Sequence, residues 1–560
     1  MKFSGAEIVI KLLEMHNIKF ISGIPGGFNL PLYDALYKSS ITHILARSEQ
    51  GAAFIAQGIS RTSKIPGVCF ATSGPGATNL ITAIADAKLD SIPLIAITGQ
   101  VPLSAIGTDA FQEVDTYGLT IPITKHNFLI RDISELIPAV NNAFKIAMEG
   151  RKGPVVIDIP KNIQTEIIDI DIKEFSKTYI SENEQQVSAI ENYTLNYIAD
   201  LINNSKRPII YAGGGIISSN SSKKLYEVSN KGNIPVSLSL MGLGAFPADN
   251  TLYLGMLGMH GAPYTNYLLF ESDLIIALGV RFDDRATGNI KKFCPKASII
   301  QVDIDPAEID KVRKCNVSIS CDVHEFLNNI LPLIKKQKRE DWILRINSYK
   351  KNYPLKKFES IFHPSNIISY VSENVPSNTV ITTDVGQHQM WVAQRYLFKE
   401  PNTFLSSGGL GTMGFGLPAA IGAAIEDKNK KVICFSGDGS ILMNIQELAT
   451  LSELDLDVKV IIFNNHRLGL VHQQQDLFFK KHFIASSFIK NPDFETIGKG
   501  FFINSVTLNN EADPIKKLKE ILKSKKPYLI NIEIDENENI YPMVKPGSSN
   551  LNMIGCDIGD

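Results

Sequence analysis

The chain has 560 residues, 44% hydrophobic and 20% charged, which is ordinary globular usage and more sequence than one hydrophobic core can organise. Its 56 basic and 58 acidic residues leave a formal charge of -2, so no global field draws it to nucleic acid or to an anionic membrane. The expected partners are therefore small molecules and other protein chains, with no nucleic acid and no membrane.

Ser4-Gly5-Ala6-Glu7 is a capping-box pattern that opens the first helix, with no secretory or organellar address ahead of it. No apolar run is long enough to span a bilayer. The six cysteines are scattered without a CxxC pair, as buried reduced thiols are. These features predict a cytoplasmic protein, or one made in the stroma or matrix of an organelle that encodes it.

From Ser4 to about Pro160, helix-like segments alternate with short apolar runs at residues 67–71, 93–97 and 155–159. A polar, acidic stretch at 161–186 reads as a linker. A second alternating unit covers about 192–334, with strands predicted at 207–212, 273–278 and 298–302. The basic stretch 335–357 reads as a separator. A third unit starts near His363 and carries strands predicted at 380–383, 431–435, 458–463 and 528–534. Alternation of this kind predicts an α/β fold of three doubly wound parallel-sheet domains, at 1–165, 190–335 and 360–545.

Ligands of open parallel sheets sit beyond the carboxyl ends of strands, so the residues that directly follow the apolar runs are informative. The run at 432–435 ends in Ser436-Gly437-Asp438-Gly439-Ser440, and the run at 460–463 ends in Asn464-Asn465-His466-Arg467. If the two strands are neighbours, Asp438 and Asn465 reach one sheet edge, where a small hard cation would take oxygen ligands and share phosphate oxygens. Gly437 and Gly439 let the backbone approach a diphosphate, and the following helix offers its N-terminal N–H groups. Taken alone, Gly-Asp-Gly and Asn-Asn are ordinary turns. The joint pattern at two strand ends is far more specific.

The segment from Gly437-Asp438-Gly439 to Asn464-Asn465 resembles the metal and diphosphate motif of thiamine-diphosphate enzymes. Gly23-Ile24-Pro25-Gly26-Gly27, Glu49-Gln50-Gly51-Ala52, residues 73–79, 107–113, Arg281-Phe282-Asp283-Asp284-Arg285 and 408–414 extend the resemblance to the catalytic subunits of acetohydroxyacid (acetolactate) synthases over nearly the whole chain. That resemblance implies a pyrimidine-binding first domain, an FAD-binding central domain and a third domain holding Mg²⁺ and the diphosphate. The implied metal ligands are Asp438, Asn465 and the main-chain carbonyl of Arg467.

Glu49 would be an unremarkable acid at a helix N-terminus on its own. The resemblance implies that it hydrogen-bonds the aminopyrimidine of thiamine diphosphate, a role that burial would assist by raising its pKa. It further implies Val385, Gly386, Gln387, His388 and Ser440 at the diphosphate, Met413 wedged between the cofactor rings, and the Gly411 carbonyl accepting from the pyrimidine amine. Met413 could otherwise be core filler, but its glycine-rich flanks argue against a packed helix interior.

Gly213-Gly214-Gly215 follows a predicted strand but departs from the G-x-G-x-x-G fingerprint, since Ser218 stands in the last glycine position. With Arg281 and Asp303, it resembles the FAD site of the biosynthetic synthases; without the resemblance, the charged cluster at 281–285 would read as surface ion pairs. Arg285 is implied to hold a substrate carboxylate, with Phe111, Gln112, Gly26 and Gln474 around the same pocket. Gln474 stands where many members carry a tryptophan that favours 2-oxobutyrate, which predicts weak discrimination between acceptors.

The activity implied is decarboxylation of pyruvate and ligation of the two-carbon unit to pyruvate or 2-oxobutyrate, the first common step of branched-chain amino-acid synthesis. The resemblance also implies a homodimer as the minimum active form, or a tetramer, with the cofactor bridging the first domain of one subunit and the third of another, and a small regulatory subunit. The rivals are a flavin-dependent pyruvate oxidase on the same scaffold and a non-catalytic cofactor-binding homologue.

Overall fold

The computed structural model describes residues 1–171 and 190–556. Three six-stranded sheets, each wholly parallel, form the framework. Their central strands are largely apolar runs, such as Leu274-Ile275-Ile276-Ala277-Leu278, in which every residue is buried, while edge strands such as Val317–Ser320 are more polar and partly exposed. Helices cover both faces, as an all-parallel sheet requires.

With the strands of each unit numbered in chain order, the first and third sheets have the same order, 2-1-3-4-6-5, and the middle sheet runs 3-2-1-4-5-6. The middle order is that of dinucleotide-binding α/β folds. Helices Glu49–Ser63 and Gly416–Glu426 pack together and fuse the first and third units into one hydrophobic core, with Phe54 edge-on to Phe415 at 5.2 Å.

The predicted strands occur, with small shifts at their ends: Val432–Gly437 includes Ser436 and Gly437, and Pro208–Ala212 begins one residue late. The capping box at Ser4 and Glu7 is formed. Two predicted connectors are more ordered than expected. Residues 161–171 contain the helix Lys161–Thr165 and the strand Ile167–Asp169, which pairs antiparallel with Lys2–Ser4; the rest of that stretch, 172–186, lies outside the described residues. The basic stretch carries the helix Glu340–Asn352, whose Trp342 and Ile346 are buried against the middle sheet, so it belongs to that unit. Sparse apolar residues among many lysines hid this face, because two buried side chains suffice to dock a short helix.

The C-terminal segment returns from the third sheet to the middle unit. Its strand Met543–Val544 pairs with Met553–Ile554, Val544 N–H donates to the Met259 carbonyl at 3.0 Å, and Asn550 donates to the Ala286 carbonyl at 2.8 Å. It thereby braces the short helix Asp284–Thr287 that carries Arg285.

Candidate active site

In the third sheet the strand order reverses between Val380–Thr383 and Val432–Gly437, which is where a crevice is expected. The chain leaves these strands as Asp384-Val385-Gly386 and as the short helix Asp438–Ile441. Gly437 is in register with Phe463 of the adjoining strand Val458–Asn464, so Asp438 and Asn465 emerge from neighbouring strand ends. Both side chains are buried.

Asn465 donates from Nδ2 to Gln387 Oε1 at 3.2 Å, which commits its NH₂ group and leaves its oxygen for a ligand role. Asp438 Oδ2 accepts from Asn491 at 2.6 Å, and burial pushes the Asp438 carboxyl up to about 6. The Arg467 guanidinium is bound to the Glu536 carboxylate and carbonyl, both at 2.8 Å, so only its main-chain oxygen remains for the implied contact. Among the described residues no group of three or more His, Cys, Asp or Glu side chains could hold a metal. A metal site here would rest on one carboxylate, completed by amide, carbonyl and phosphate oxygens.

The surroundings fit a magnesium diphosphate. His388, in the first turn of the helix Gln387–Arg395, is buried, held neutral with its pKa driven down to about 3, and its Nε2 has no hydrogen-bond partner. A Cβ on Gly437 would come within 3.0 Å of the His388 ring, so only glycine leaves the backbone open beside it. Ser440 Oγ accepts from Gly437 N–H at 3.1 Å, and Gly439 lies between them in the same turn.

Asp384, which the sequence did not single out, ties the cradle together. Its Oδ1 accepts from Val385 N–H at 3.2 Å and Gly414 N–H at 2.6 Å, and its Oδ2 accepts from Ser436 at 3.0 Å. The loop that carries Gly411 and Met413 is thus fixed at Gly414. Its other end is held by the first unit: Asp90 accepts from Gly408 N–H at 3.0 Å and Gly409 N–H at 2.7 Å, while Asp86 accepts from Ser407 and Thr412. The buried Arg61 guanidinium lies 3.6 Å from Asp86 and 3.0 Å from Asp90. Burial and the Asp90 charge hold the Asp86 carboxyl above the usual range.

Glu49 opens the helix Glu49–Ser63 and accepts from Asn79 Nδ2 at 2.9 Å; it is half-buried in a single chain, less than the sequence reading expected. Gly26 packs against Thr72 at the carboxyl end of the first sheet. Gln112 lies over Gly74, and Phe111 is 80% exposed. Glu113 holds this loop through Ala110 N–H at 3.1 Å, and Gln100 holds it through the Val114 carbonyl at 3.0 Å.

A cavity of about 910 Å³ opens between the three units. It brings together Gly214, Gly215, Arg281, Arg285 and Asp303 of the middle unit with Val385, Gly411 and Gln474 of the third. Gly213 lies behind this lining, against Gly279 and Val280, at the strand-order reversal of the middle sheet. Arg281 reaches the Leu89 carbonyl at 2.9 Å, and burial pushes Asp303 up to about 6. The dinucleotide strand order, the glycines and the size of this cavity fit a flavin dinucleotide. The expectation that Phe111 and Gln112 share a pocket with Arg285 is not met within one chain, nor do Glu49 and Gly26 line this cavity. The first unit's wall is instead made by Ser60 and Arg61, at the far end of the helix that Glu49 begins, together with residues 89–93 and 150–152.

Family models for thiamine pyrophosphate enzymes match all three units: the N-terminal TPP binding domain at residues 3–119, the central domain at 195–330 and the C-terminal TPP binding domain at 384–532. The chain is 52% identical to acetolactate synthase isozyme 1 large subunit of Escherichia coli (strain K12), over 99% of this chain and 98% of that protein. It is 43% identical to isozyme 2 large subunit of the same organism, over 98% and 99%. A probable acetolactate synthase large subunit of Methanocaldococcus jannaschii is 44% identical over 98% and 95%.

Proposed function

The chain belongs to the acetolactate synthase large subunits among the thiamine pyrophosphate enzymes, and on that footing we propose that it decarboxylates pyruvate and ligates the two-carbon unit to pyruvate or 2-oxobutyrate. The observation that carries this reading at the residue level is the register of Gly437 with Phe463, which delivers Asp438 and Asn465 to one crevice.

Thiamine diphosphate, when bound, supplies the electron sink for loss of carbon dioxide. Asp438, Asn465 and the Arg467 carbonyl would hold Mg²⁺, and the turn at Gly437-Asp438-Gly439-Ser440 with His388 would hold the diphosphate. Glu49, steadied by Asn79, would hold and return a proton at its carboxylate, facing the pyrimidine. The Gly411 carbonyl would accept from the ring amine, and Met413 would fix the ring geometry. Arg285 would bind the carboxylate of the acceptor, and its cavity would keep water from the reacting carbons.

FAD is proposed for the middle unit through Gly213, Gly214, Gly215, Arg281 and Asp303, in a structural capacity. Because Glu49 and the Arg285 cavity lie apart in one chain, a homodimer that pairs the first unit of one copy with the third of another is the proposed minimal enzyme. A small regulatory partner is proposed from the large-subunit relatives. The proposed domain limits of 1–165, 190–335 and 360–545 are extended by the strand Ile167–Asp169 in the first unit and by the helix Glu340–Asn352 in the middle one. A cytoplasmic location is proposed as well. Among the described residues no helix is long and apolar enough to cross a membrane.

Purified protein given pyruvate, thiamine diphosphate, Mg²⁺ and FAD should form 2-acetolactate. Acetate or acetyl phosphate in its place would favour the flavin-dependent oxidase, and cofactor binding without turnover would favour a silent homologue. Full activity of protein devoid of a flavin spectrum would remove FAD from the account.

A further inference from the structure

The helix that Glu49 begins is capped by two units of the chain at once. Ser48 is its N-cap, and Ser48 Oγ accepts from Gly51 N–H at 3.0 Å. In a complete capping box the residue at the third helical position returns a carboxylate or amide to the N-cap N–H. Here that residue is Gly51, which has no side chain to return. Glu447 of the third unit fills the place: its Oε1 accepts from Ser48 N–H at 3.0 Å and from Arg47 N–H at 2.9 Å. A Cβ on Gly51 would overlap that same Oε1, so the missing side chain makes the room that the carboxylate occupies. Glu447 is fully buried, and Thr450 donates to its other oxygen at 2.7 Å.

Asn444, three residues earlier, extends the tie. It donates to the Gly414 carbonyl at 2.8 Å, directly after Met413, and its Oδ1 accepts from Ser48 Oγ at 3.2 Å. One stretch that follows the Asp438 turn thus grips both the Met413 loop and the residues ahead of Glu49. Without it, Arg47 N–H and Ser48 N–H would be left without acceptors at a part-buried helix start.

We propose that Glu447 is a positioning residue for Glu49, completing from another unit a capping box that Gly51 leaves open. The inference rests on the role given to Glu49 above. Its measure is the rate of hydrogen–deuterium exchange at C2 of bound thiamine diphosphate, with backbone amide exchange of the cofactor-free protein around residues 44–54 as a second readout. Glu447→Ala should free those amides and slow C2 exchange about tenfold to a hundredfold, as loss of sub-ångström positioning does, while cofactor affinity changes little. Gly51→Ala, which displaces the carboxylate, should act alike. Glu447→Gln keeps an accepting oxygen and should restore both readouts, which also controls for misfolding.

Unchanged C2 exchange in Glu447→Ala, or a loss in Glu447→Gln as deep as in Glu447→Ala, would overturn the proposal. Absence of C2 exchange in the wild-type protein would instead overturn the reading of Glu49 itself.

Discussion

Asn491 donates one amide N–H to Asp438 at 2.6 Å and shares the same group with Asn464 at 2.9 Å. A residue far along the chain therefore orients the only carboxylate proposed to touch the metal.

Outer partners of this kind commonly set metal affinity. Asn491→Ala should raise the Mg²⁺ concentration for half-maximal activity about 10–100-fold at saturating thiamine diphosphate. Asp438→Ala should abolish the rise in melting temperature that Mg²⁺ with thiamine diphosphate gives the wild-type protein, because a ligand that binds only the folded state stabilises it by mass action. An undiminished rise would remove Asp438 from the site.

Gln474 lines the Arg285 cavity from the helix Gly469–Phe478. An amide there offers no broad apolar surface to the extra methyl of 2-oxobutyrate, so the wild-type enzyme should discriminate weakly between acceptors. Gln474→Trp should shift the product ratio toward 2-aceto-2-hydroxybutyrate by roughly 1–3 kcal/mol, or about 10–200-fold. Competition between pyruvate and 2-oxobutyrate in one reaction measures this, and an unaltered ratio would place the acceptor elsewhere.

Asp158 is fully buried, accepts from Thr98 at 2.6 Å and Gln100 at 2.9 Å, and is pushed up to about 7 by burial. Its folded pKa thus lies above the ordinary value near 3.9. Its contribution to stability is complete below about pH 4 and is lost as the pH rises through about 7, since over that span the folded chain keeps a proton that the unfolded chain has released. Thermal melts from pH 5 to 8 should show a steeper fall for the wild-type protein than for Asp158→Asn, whatever their offset at one pH. Parallel curves would contradict the assignment. Because Gln100 also carries the Val114 carbonyl, this buried acid supports the loop of Phe111 and Gln112.

Much of this was legible in the sequence because parallel sheets write their ligand sites at strand ends. Gly437-Asp438-Gly439, Asn464-Asn465 and Gly213-Gly214-Gly215 each follow an apolar run, and each stands at a carboxyl edge. Asp384, Asn491 and Glu447 were not legible, since their partners lie 30, 53 and about 400 residues away and only folding brings them together. A signal for Asp384 was available: it too directly follows a predicted strand, ahead of Val385 and Gly386. Phe111 and Gln112 do not line the Arg285 cavity of their own chain, which is the arrangement expected if, as proposed, a second copy completes the site.

That last point is tested most directly by mixing two inactive proteins. Glu49→Gln should nearly abolish acetolactate formation, and so should Asp438→Ala, each with folding retained. If a site takes Glu49 from one copy and Asp438 from the other, a mixed dimer holds one doubly damaged site and one intact site. Co-refolded or co-expressed variants should then regain about a quarter of the wild-type rate by random pairing into two-fold dimers. A mixture as inactive as its components would show that the two groups do not meet across a subunit boundary, and would contradict the account.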